Sequence, residues 1–161
     1  TFIPSSSTWD GRFANNAWLQ ETPDFLTKVT WDNVALIAPD TARGLGISSQ
    51  AMVRIKLGDR SLDIPALVMP GQARSSIAIV LGGGRTAAGK VGNKGGEYKG
   101  GGFDAYRVPS STGLGLGAGV ALQWSGQKRS SACPCQRDRR RRRDCRNRNR
   151  RSRDGSCSRL R

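Results

Sequence analysis

The sequence of 161 residues contains no histidine. Histidine is the usual general base near neutral pH and a frequent metal ligand, so its absence excludes serine–histidine and cysteine–histidine nucleophile pairs, His-ligated zinc and His-ligated haem. No run approaches the roughly 20 apolar residues that a membrane-spanning helix needs, and residues 1–5 lack the basic and apolar regions of a signal peptide. We therefore expect a piece of a longer protein, with no direct insertion into a membrane.

Residues 1–127 contain no cysteine and carry little net positive charge. The cysteines are Cys133, Cys135, Cys145 and Cys157. Residues 128–161 hold fifteen basic and three acidic residues, a net of +12. The other twelve basic and nine acidic residues give +3, so most of the total of +15 belongs to the tail.

Residues 128–161 have three interpretations. An arginine-rich arm would bind nucleic acid by neutralising phosphates, which makes the chain a basic nucleic-acid-binding module. A cysteine metal site is the weaker interpretation, because the spacing gives one C-x-C pair and two distant cysteines rather than C-x-x-C pairs. The third interpretation, which we favour, is an out-of-frame translation of a GC-rich gene, since aliphatic residues are almost absent. We predict that residues 128–161 form a disordered basic tail.

Residues 34–127 have the length and patterning of one domain. A short helix is predicted at 39–46, where Pro39 stands near the first turn and Gly46 at the end. Alternating residues predict a β-hairpin, with Pro65 placing its second strand at an edge or at a bulge. The predicted strands are 52–57, 61–68, 76–81 (covered on both faces), 103–108 and 119–124, while 34–37 is a short apolar run. This pattern indicates a small, mostly β barrel rather than βαβ units.

Residues 1–33 form a separate segment rich in large aromatic residues. Their spacing fits neither a helix nor a strand. Because an aromatic side chain stabilises most when it is buried, we expect this segment to dock on another surface. The aromatic residues are Trp9, Phe13, Trp18, Phe25 and Trp31.

A glycine-rich loop from 82 to 102 follows the predicted strand 76–81. Its successive glycine N–H groups, together with Arg85 and Lys90, are suited to contact a phosphate or nucleotide. It is not a Walker A loop, because Val91 follows Lys90, and no helix pattern follows it as in a Rossmann fingerprint. A flexible or subunit-facing loop is the other interpretation. The scattered carboxylates indicate no acid–base pair.

A family resemblance rests on five stretches: TWDGRFANNAWLQE at 8–21, LTKVTWDN at 26–33, LGGGRT at 81–86, GKVGN at 89–93 and GFDAY at 102–106. In this order they resemble the iron–sulfur and molybdopterin oxidoreductase-like subunit of bacterial alternative complex III. The helix and hairpin resemble the wider molybdopterin dinucleotide-binding domain. The resemblance implies a double-psi β-barrel-like fold from near the end of a larger subunit.

The function implied by this resemblance is part of a quinol-oxidising electron-transfer complex on the periplasmic side of the bacterial inner membrane. Its partners would be the remainder of its own subunit and the other subunits of the respiratory complex. The barrel would either cap a molybdopterin dinucleotide or serve as a scaffold without that cofactor. Iron–sulfur clusters would belong to the part of the subunit outside this sequence, and the fragment alone is not expected to be catalytic.

Six residues are the candidates for contact with a dinucleotide: Gly83, Gly84, Arg85, Asn93, Asn33 and Asp104. Three features depart from the family pattern. Gln50-Ala51 stands where the family has Gly-Asp, and residues 94–101 lengthen the loop after Asn93. The similarity also fades after about residue 112, which fits a change of frame near the end.

Overall fold

The structure, a computed structural model, describes residues 1–86, 101–110, 113 and 115–128. These residues form six strands, two short α-helices and one turn of 3₁₀-helix. They are β1 (Phe2–Ile3), α1 (Ala17–Glu21), β2 (Ala35–Ile37), α2 (Pro39–Gly44), β3 (Ala51–Leu57), β4 (Arg60–Val68), β5 (Ile77–Val80), the 3₁₀ turn (Ala105–Arg107) and β6 (Ala121–Lys128). The prediction of a mostly β fold is confirmed.

The six strands form one mixed sheet in the order β1-β5-β2-β4-β3-β6. β3 and β4 form the predicted antiparallel hairpin, while β2 pairs parallel with β4 and antiparallel with β5. The segment that leads into β6 lies against β1, because the Phe2 N–H donates to the Gly115 carbonyl at 3.0 Å. The two ends of the strand order therefore approach each other, which gives the sheet a barrel-like curvature.

Pro65 occupies an interior strand, contrary to expectation. β4 lies between β2 and β3, and its register with β3 is regular through Pro65 opposite Met52. The prediction of an edge or a bulge is therefore wrong. Pairing of β4 with β2 begins only at Ala66, opposite Ala35. The missing N–H of Pro65 thus falls just before the second ladder starts, where it interrupts no pairing with β2.

Two apolar clusters cover the two faces of the sheet. The larger one contains the fully buried Ile37, Val53, Ile55 and Ile64, and each such side chain contributes about 1.5–3 kcal/mol when buried. The smaller one contains Val29, Val34, Leu36 and Ala78. Alternate residues of β5 enter different clusters, Ala78 the smaller and Ile79 the larger. The prediction that this strand is covered on both faces is confirmed.

Helix α2 begins at Pro39, as the sequence predicts, and ends at Gly44, two residues before the predicted end. Pro39 stands at its first turn, and Gly46 has a φ of +64° just beyond its end. The Ile47 N–H donates to the Ala42 carbonyl at 2.8 Å, and the Gly46 N–H donates to the Arg43 carbonyl at 3.3 Å. These two bonds form a Schellman motif, which requires the left-handed backbone that glycine adopts at little cost.

Residues 1–33 contain more regular structure than their spacing indicates. β1 joins the sheet beside β5, and the Asn16 side chain caps α1 by accepting from the Trp18 N–H at 3.1 Å. The prediction that this segment fits neither helix nor strand is wrong for β1 and α1. Pairing with β5 defines β1 and the Asn16 cap defines the start of α1, and neither feature produces a periodic sequence pattern. Four of the five aromatic side chains remain exposed: Trp9, Phe13, Trp18 and Phe25.

Candidate functional site

Four stretches that are distant in sequence meet at one end of the sheet. We call this group the motif cluster; it comprises residues 8–14, Asn33, 81–85 and 101–106. Among the residues predicted to contact a dinucleotide, the structure brings together Asn33, Gly83, Gly84, Arg85 and Asp104. Asn93, with the rest of 87–100, lies outside the described residues.

Asn33 is the central side chain of the motif cluster and is 4% exposed. Its Nδ2 donates to the carbonyl oxygens of Val80 and Phe103, each at 2.9 Å, and its Oδ1 accepts from the Phe103 N–H at 2.6 Å. Both amide hydrogens and one acceptor site are therefore used by backbone. A buried amide that is satisfied in this way joins the end of β5 to residue 103.

At the three consecutive glycines 82–84 of the motif cluster, neighbouring atoms leave no space for a side chain. A Cβ on Gly83 would lie 2.5 Å from Asn33 Oδ1, and one on Gly84 would lie 2.4 Å from the Asp104 Cα. On Gly82 a Cβ would lie 2.8 Å from Thr8 Oγ1. Gly82 and Gly84 also have φ near +90°. Close packing of the chain on itself therefore accounts for this glycine run.

Some backbone N–H groups of the glycine-rich loop donate hydrogen bonds to other parts of the chain. Those of Gly84 and Arg85 both donate to the Gly101 carbonyl, at 2.8 Å and 3.3 Å. Arg85 Nη1 donates to the Ala14 carbonyl at 2.6 Å, so its guanidinium ties the loop to the N-terminal segment. These donors, which were expected to serve an anion, bind protein oxygens instead.

Residues 103–108 do not form the predicted strand. The Asp104 carboxylate accepts from the Tyr106 N–H at 3.1 Å and caps the 3₁₀ turn Ala105–Arg107. This local hydrogen bond competes with an extended conformation, so the strand prediction is wrong here. The turn directs Tyr106 towards the N-terminal segment, where its hydroxyl donates to the Asp10 carbonyl at 2.7 Å. Partial burial raises the pKa of the Tyr106 phenol, and the Asp10 carboxylate raises it further.

Asp10 and Arg12 form an exposed ion pair at the edge of the motif cluster. Arg12 Nη2 lies 2.8 Å from Asp10 Oδ2, and Arg12 Nε donates to Asp10 Oδ1 at 3.0 Å. These side-chain bonds, with a further bond from the Arg12 backbone N–H, lower the pKa of Asp10 to about 2. Neither residue was among the predicted site residues. Their i, i+2 spacing in the DGR turn is the only signal for the pair in the sequence.

The described part of the cluster does not fit a dinucleotide. The polar groups of Asn33, Gly84 and Arg85 bind protein atoms, as described above. The nearby cavity, which borders Thr8, Asp32 and Gly83, holds only about 40 Å³, whereas ligand pockets hold roughly 300–1,000 Å³. In the same described ranges there is no group of three or more His, Cys, Asp or Glu residues that could hold a metal ion.

Comparison with known proteins finds structural similarity at low sequence identity. No family model matches the chain, and no curated protein matches it. Among solved structures, the chain is similar to acetylene hydratase from Pelobacter acetylenicus, with 20% identity and a TM-score of 0.46. The similarity covers 68% of this chain and 14% of that protein. Within the described residues, no helix is both long enough and apolar enough to cross a membrane.

Proposed function

We propose that this chain is a domain of a molybdopterin oxidoreductase-like subunit and that its role is that of a scaffold. The parent assembly is a quinol-oxidising electron-transfer complex of the alternative complex III type. Iron–sulfur clusters belong to another part of the subunit in this proposal, and the assembly lies on the periplasmic side of the bacterial inner membrane. The domain alone has no catalytic role in it.

The observation that carries the proposal is the convergence of the motifs. Four of the five stretches that carry the family resemblance lie within the described residues; they are separated by up to about ninety residues, yet they contact one another directly. Tyr106 of GFDAY bonds to Asp10 of WDGRF at 2.7 Å, and Arg85 of LGGGR bonds to Ala14 of the same stretch. Asn33 of TWDN bonds to Phe103. A set of motifs that packs together in this way is expected when they belong to one fold.

The scaffold role is favoured over the capping role by the same contacts. Side chains and backbone groups that would have to face a dinucleotide are used to join the motif stretches. Tight packing of the chain explains why residues 82–84 are glycine. The shape of this loop therefore does not depend on a bound cofactor. The capping role therefore has no support from the described residues.

The expected partners are the remainder of the subunit and its neighbours in the complex. Four aromatic side chains of the N-terminal segment are exposed, and Trp18 is the most exposed at 82%. Exposed aromatic groups of this number are typical of surfaces that other protein covers. The alternative function, binding of nucleic acid by the arginine-rich tail, depends on residues 129–161, which lie outside the described residues, and it stays a prediction.

The coding DNA on both sides of this sequence tests the proposal. We expect the upstream reading frame to encode cysteine clusters with iron–sulfur spacing and a longer molybdopterin-like region. We also expect a one-base shift around codons 125–135 to restore a family-like, aliphatic sequence. A native start codon directly before Thr1, with no such region upstream, would contradict the proposal. Salt-dependent nucleic-acid binding that is lost on removal of 128–161 would support the alternative.

A further inference from the structure

A small cavity of about 40 Å³ lies between the N-terminal segment and the end of β5. Its lining residues come from 5–8, 20–34 and 80–83, with Gly101. A water molecule needs about 10–15 Å³ of such a volume, so the cavity has room for one ion with about two waters. Thr22, one of the lining residues, is exposed, so the cavity can exchange its contents with solvent. Its size excludes a dinucleotide but admits an ion.

The hydroxyl group of Thr8 is buried at this cavity. Thr8 is 4% exposed, and its backbone N–H donates to Ser5 Oγ at 3.2 Å. Within the part of the chain that the structure describes, no atom forms a hydrogen bond with Thr8 Oγ1. This oxygen is directed at Gly82, which also lines the cavity, since a Cβ on Gly82 would lie 2.8 Å from it. A buried polar group normally has a partner, so the hydroxyl indicates a ligand in the cavity.

The other polar side chains of the cavity have largely used their donors. Asn33 Nδ2 donates both hydrogens to backbone carbonyls, and Thr22 Oγ1 donates to a carbonyl of α1 at 2.9 Å. Thr27 Oγ1 donates to Asp24 Oδ1 at 3.0 Å. Gln20 Nε2 donates to a backbone carbonyl at 3.2 Å, which leaves the amide oxygen on the other side of the group. The remaining hydrogen-bonding capacity is therefore mainly that of oxygen acceptors.

Both ionisable side chains that line the cavity are aspartates, Asp24 and Asp32. Partial burial raises the pKa of Asp24, but hydrogen bonds from Ser6 and from the Thr27 N–H and hydroxyl outweigh this effect and lower the pKa below its ordinary value. Asp24 is therefore ionised at neutral pH. No Lys or Arg is among the lining residues. Acceptor oxygens and negative charge together favour a hard cation.

We propose that this cavity binds one Ca²⁺ ion, to which Thr8, Gln20 and Asp24 supply oxygen atoms. Ca²⁺ takes roughly six to eight oxygen ligands from carboxylates, neutral oxygens and waters, and two aspartates match its charge. Within the described ranges, no third carboxylate joins them. We therefore expect a dissociation constant of about 0.1–1 mM, as in sites with few charged ligands. The ion would hold residues 20–24 against Thr8 and the end of β5.

Titration of the full chain with Ca²⁺ by calorimetry, and with Tb³⁺ as a luminescent substitute, tests this proposal. Trp31 lines the cavity, so excitation of tryptophan should sensitise Tb³⁺ bound there. Thr8→Val removes Oγ1 and keeps the shape of the side chain. Because no described atom bonds Oγ1, this variant should fold, and its affinity for Ca²⁺ should fall by about tenfold or more. Thr8→Ser, which keeps the hydroxyl, should bind as the unchanged protein does.

An aspartate away from the cavity provides the matched control. Asp24→Asn should weaken Ca²⁺ binding, whereas Asp63→Asn, which changes the partner of Arg54 on the β3–β4 hairpin, should leave it unchanged. Absence of binding at about 10 mM Ca²⁺ would mean that the cavity holds water alone and would overturn the proposal. Equal affinity of the Thr8→Val and unchanged proteins, or loss of binding in Asp63→Asn, would place the ion elsewhere and overturn it as well.

Discussion

Asn33 and Phe103, which stand 70 positions apart, exchange two hydrogen bonds. The Asn33 Nδ2 donates to the Phe103 carbonyl at 2.9 Å, and the Phe103 N–H donates to Asn33 Oδ1 at 2.6 Å. A side-chain amide thus replaces the neighbouring strand that would otherwise satisfy this backbone. The pair fixes how the glycine loop returns to the sheet.

Replacement of Asn33 by alanine should strongly destabilise the protein. It removes the hydrogen bonds that Asn33 makes to the Phe103 N–H and to the carbonyls of Val80 and Phe103 in a buried or partly buried setting, and each lost bond of this kind costs about 1–3 kcal/mol. We expect the free energy of unfolding in urea to fall by about 3 kcal/mol or more.

The exposed Asn15 provides the matched control. Asn15→Ala should change the free energy of unfolding by less than about 0.5 kcal/mol. If Asn33→Ala does not fold, Asn33→Asp, which keeps the acceptor and loses both donors, should fold with faster amide exchange at Val80 and Phe103. Equal stability of the Asn33→Ala and Asn15→Ala proteins would contradict the role assigned to Asn33.

Alanine in place of Gly84 should be costly for two separable reasons. Its φ of +94° is unfavourable for a residue with a Cβ, and that Cβ would lie 2.4 Å from the Asp104 Cα. Backbone strain of about 1–2 kcal/mol and overpacking of about 1–3 kcal/mol together predict a loss of about 3 kcal/mol in thermal or urea unfolding.

Two other glycines separate these contributions. Gly46 has a φ of +64° with open space around it, so Gly46→Ala should show the strain alone. Gly44, the last residue of α2, has no positive φ, and a Cβ built on it would have no atom within 4 Å. Gly44→Ala should therefore be neutral or slightly stabilising. If Gly84→Ala costs no more than Gly46→Ala, close packing is not the reason for this glycine.

The Asp10–Arg12 ion pair predicts that the Asp10 carboxyl group titrates at an unusually low pH. The folded-state pKa of Asp10 is about 2, which is below the ordinary aspartate value of about 3.9. The stabilising effect of the pair is therefore complete above about pH 4 and is lost as the pH falls through about 2. Carbon-13 NMR of the Asp10 carboxyl group should give a midpoint near 2.

Substitution of Arg12 tests the cause of this shift. In Arg12→Met the Asp10 midpoint should rise towards 3.9, because the guanidinium hydrogen bonds are the largest contribution. Arg54→Met, which breaks the pair with Asp63 on the β3–β4 hairpin, should leave Asp10 unchanged and raise the lowered pKa of Asp63. An unchanged Asp10 midpoint in Arg12→Met would show that another group lowers its pKa.

The site could be predicted only in part. Glycine content and the basic neighbours singled out the loop at 82–85, and the motifs singled out Asn33 and Asp104. Their sequence order does not show that the Gly84 N–H bonds to the Gly101 carbonyl, or that Asn33 bonds to Phe103. A glycine that lets a ligand approach the backbone and a glycine that lets another segment of the chain approach it cannot be told apart in sequence. Both positions only require the absence of a side chain.

Local features determined the elements that the sequence predicted correctly. Alternation over 52–57 and 61–68 specifies the hairpin, and Pro39 with Gly46 specifies the ends of α2, because these signals act within a few residues. The tertiary structure alone decided the interior position of β4, the 3₁₀ turn at Ala105–Arg107, and the meeting of Asp10, Arg85 and Asn33 with residues 101–106. These depend on which distant backbone groups satisfy one another when the sheet curves, and periodicity in the sequence does not carry that information.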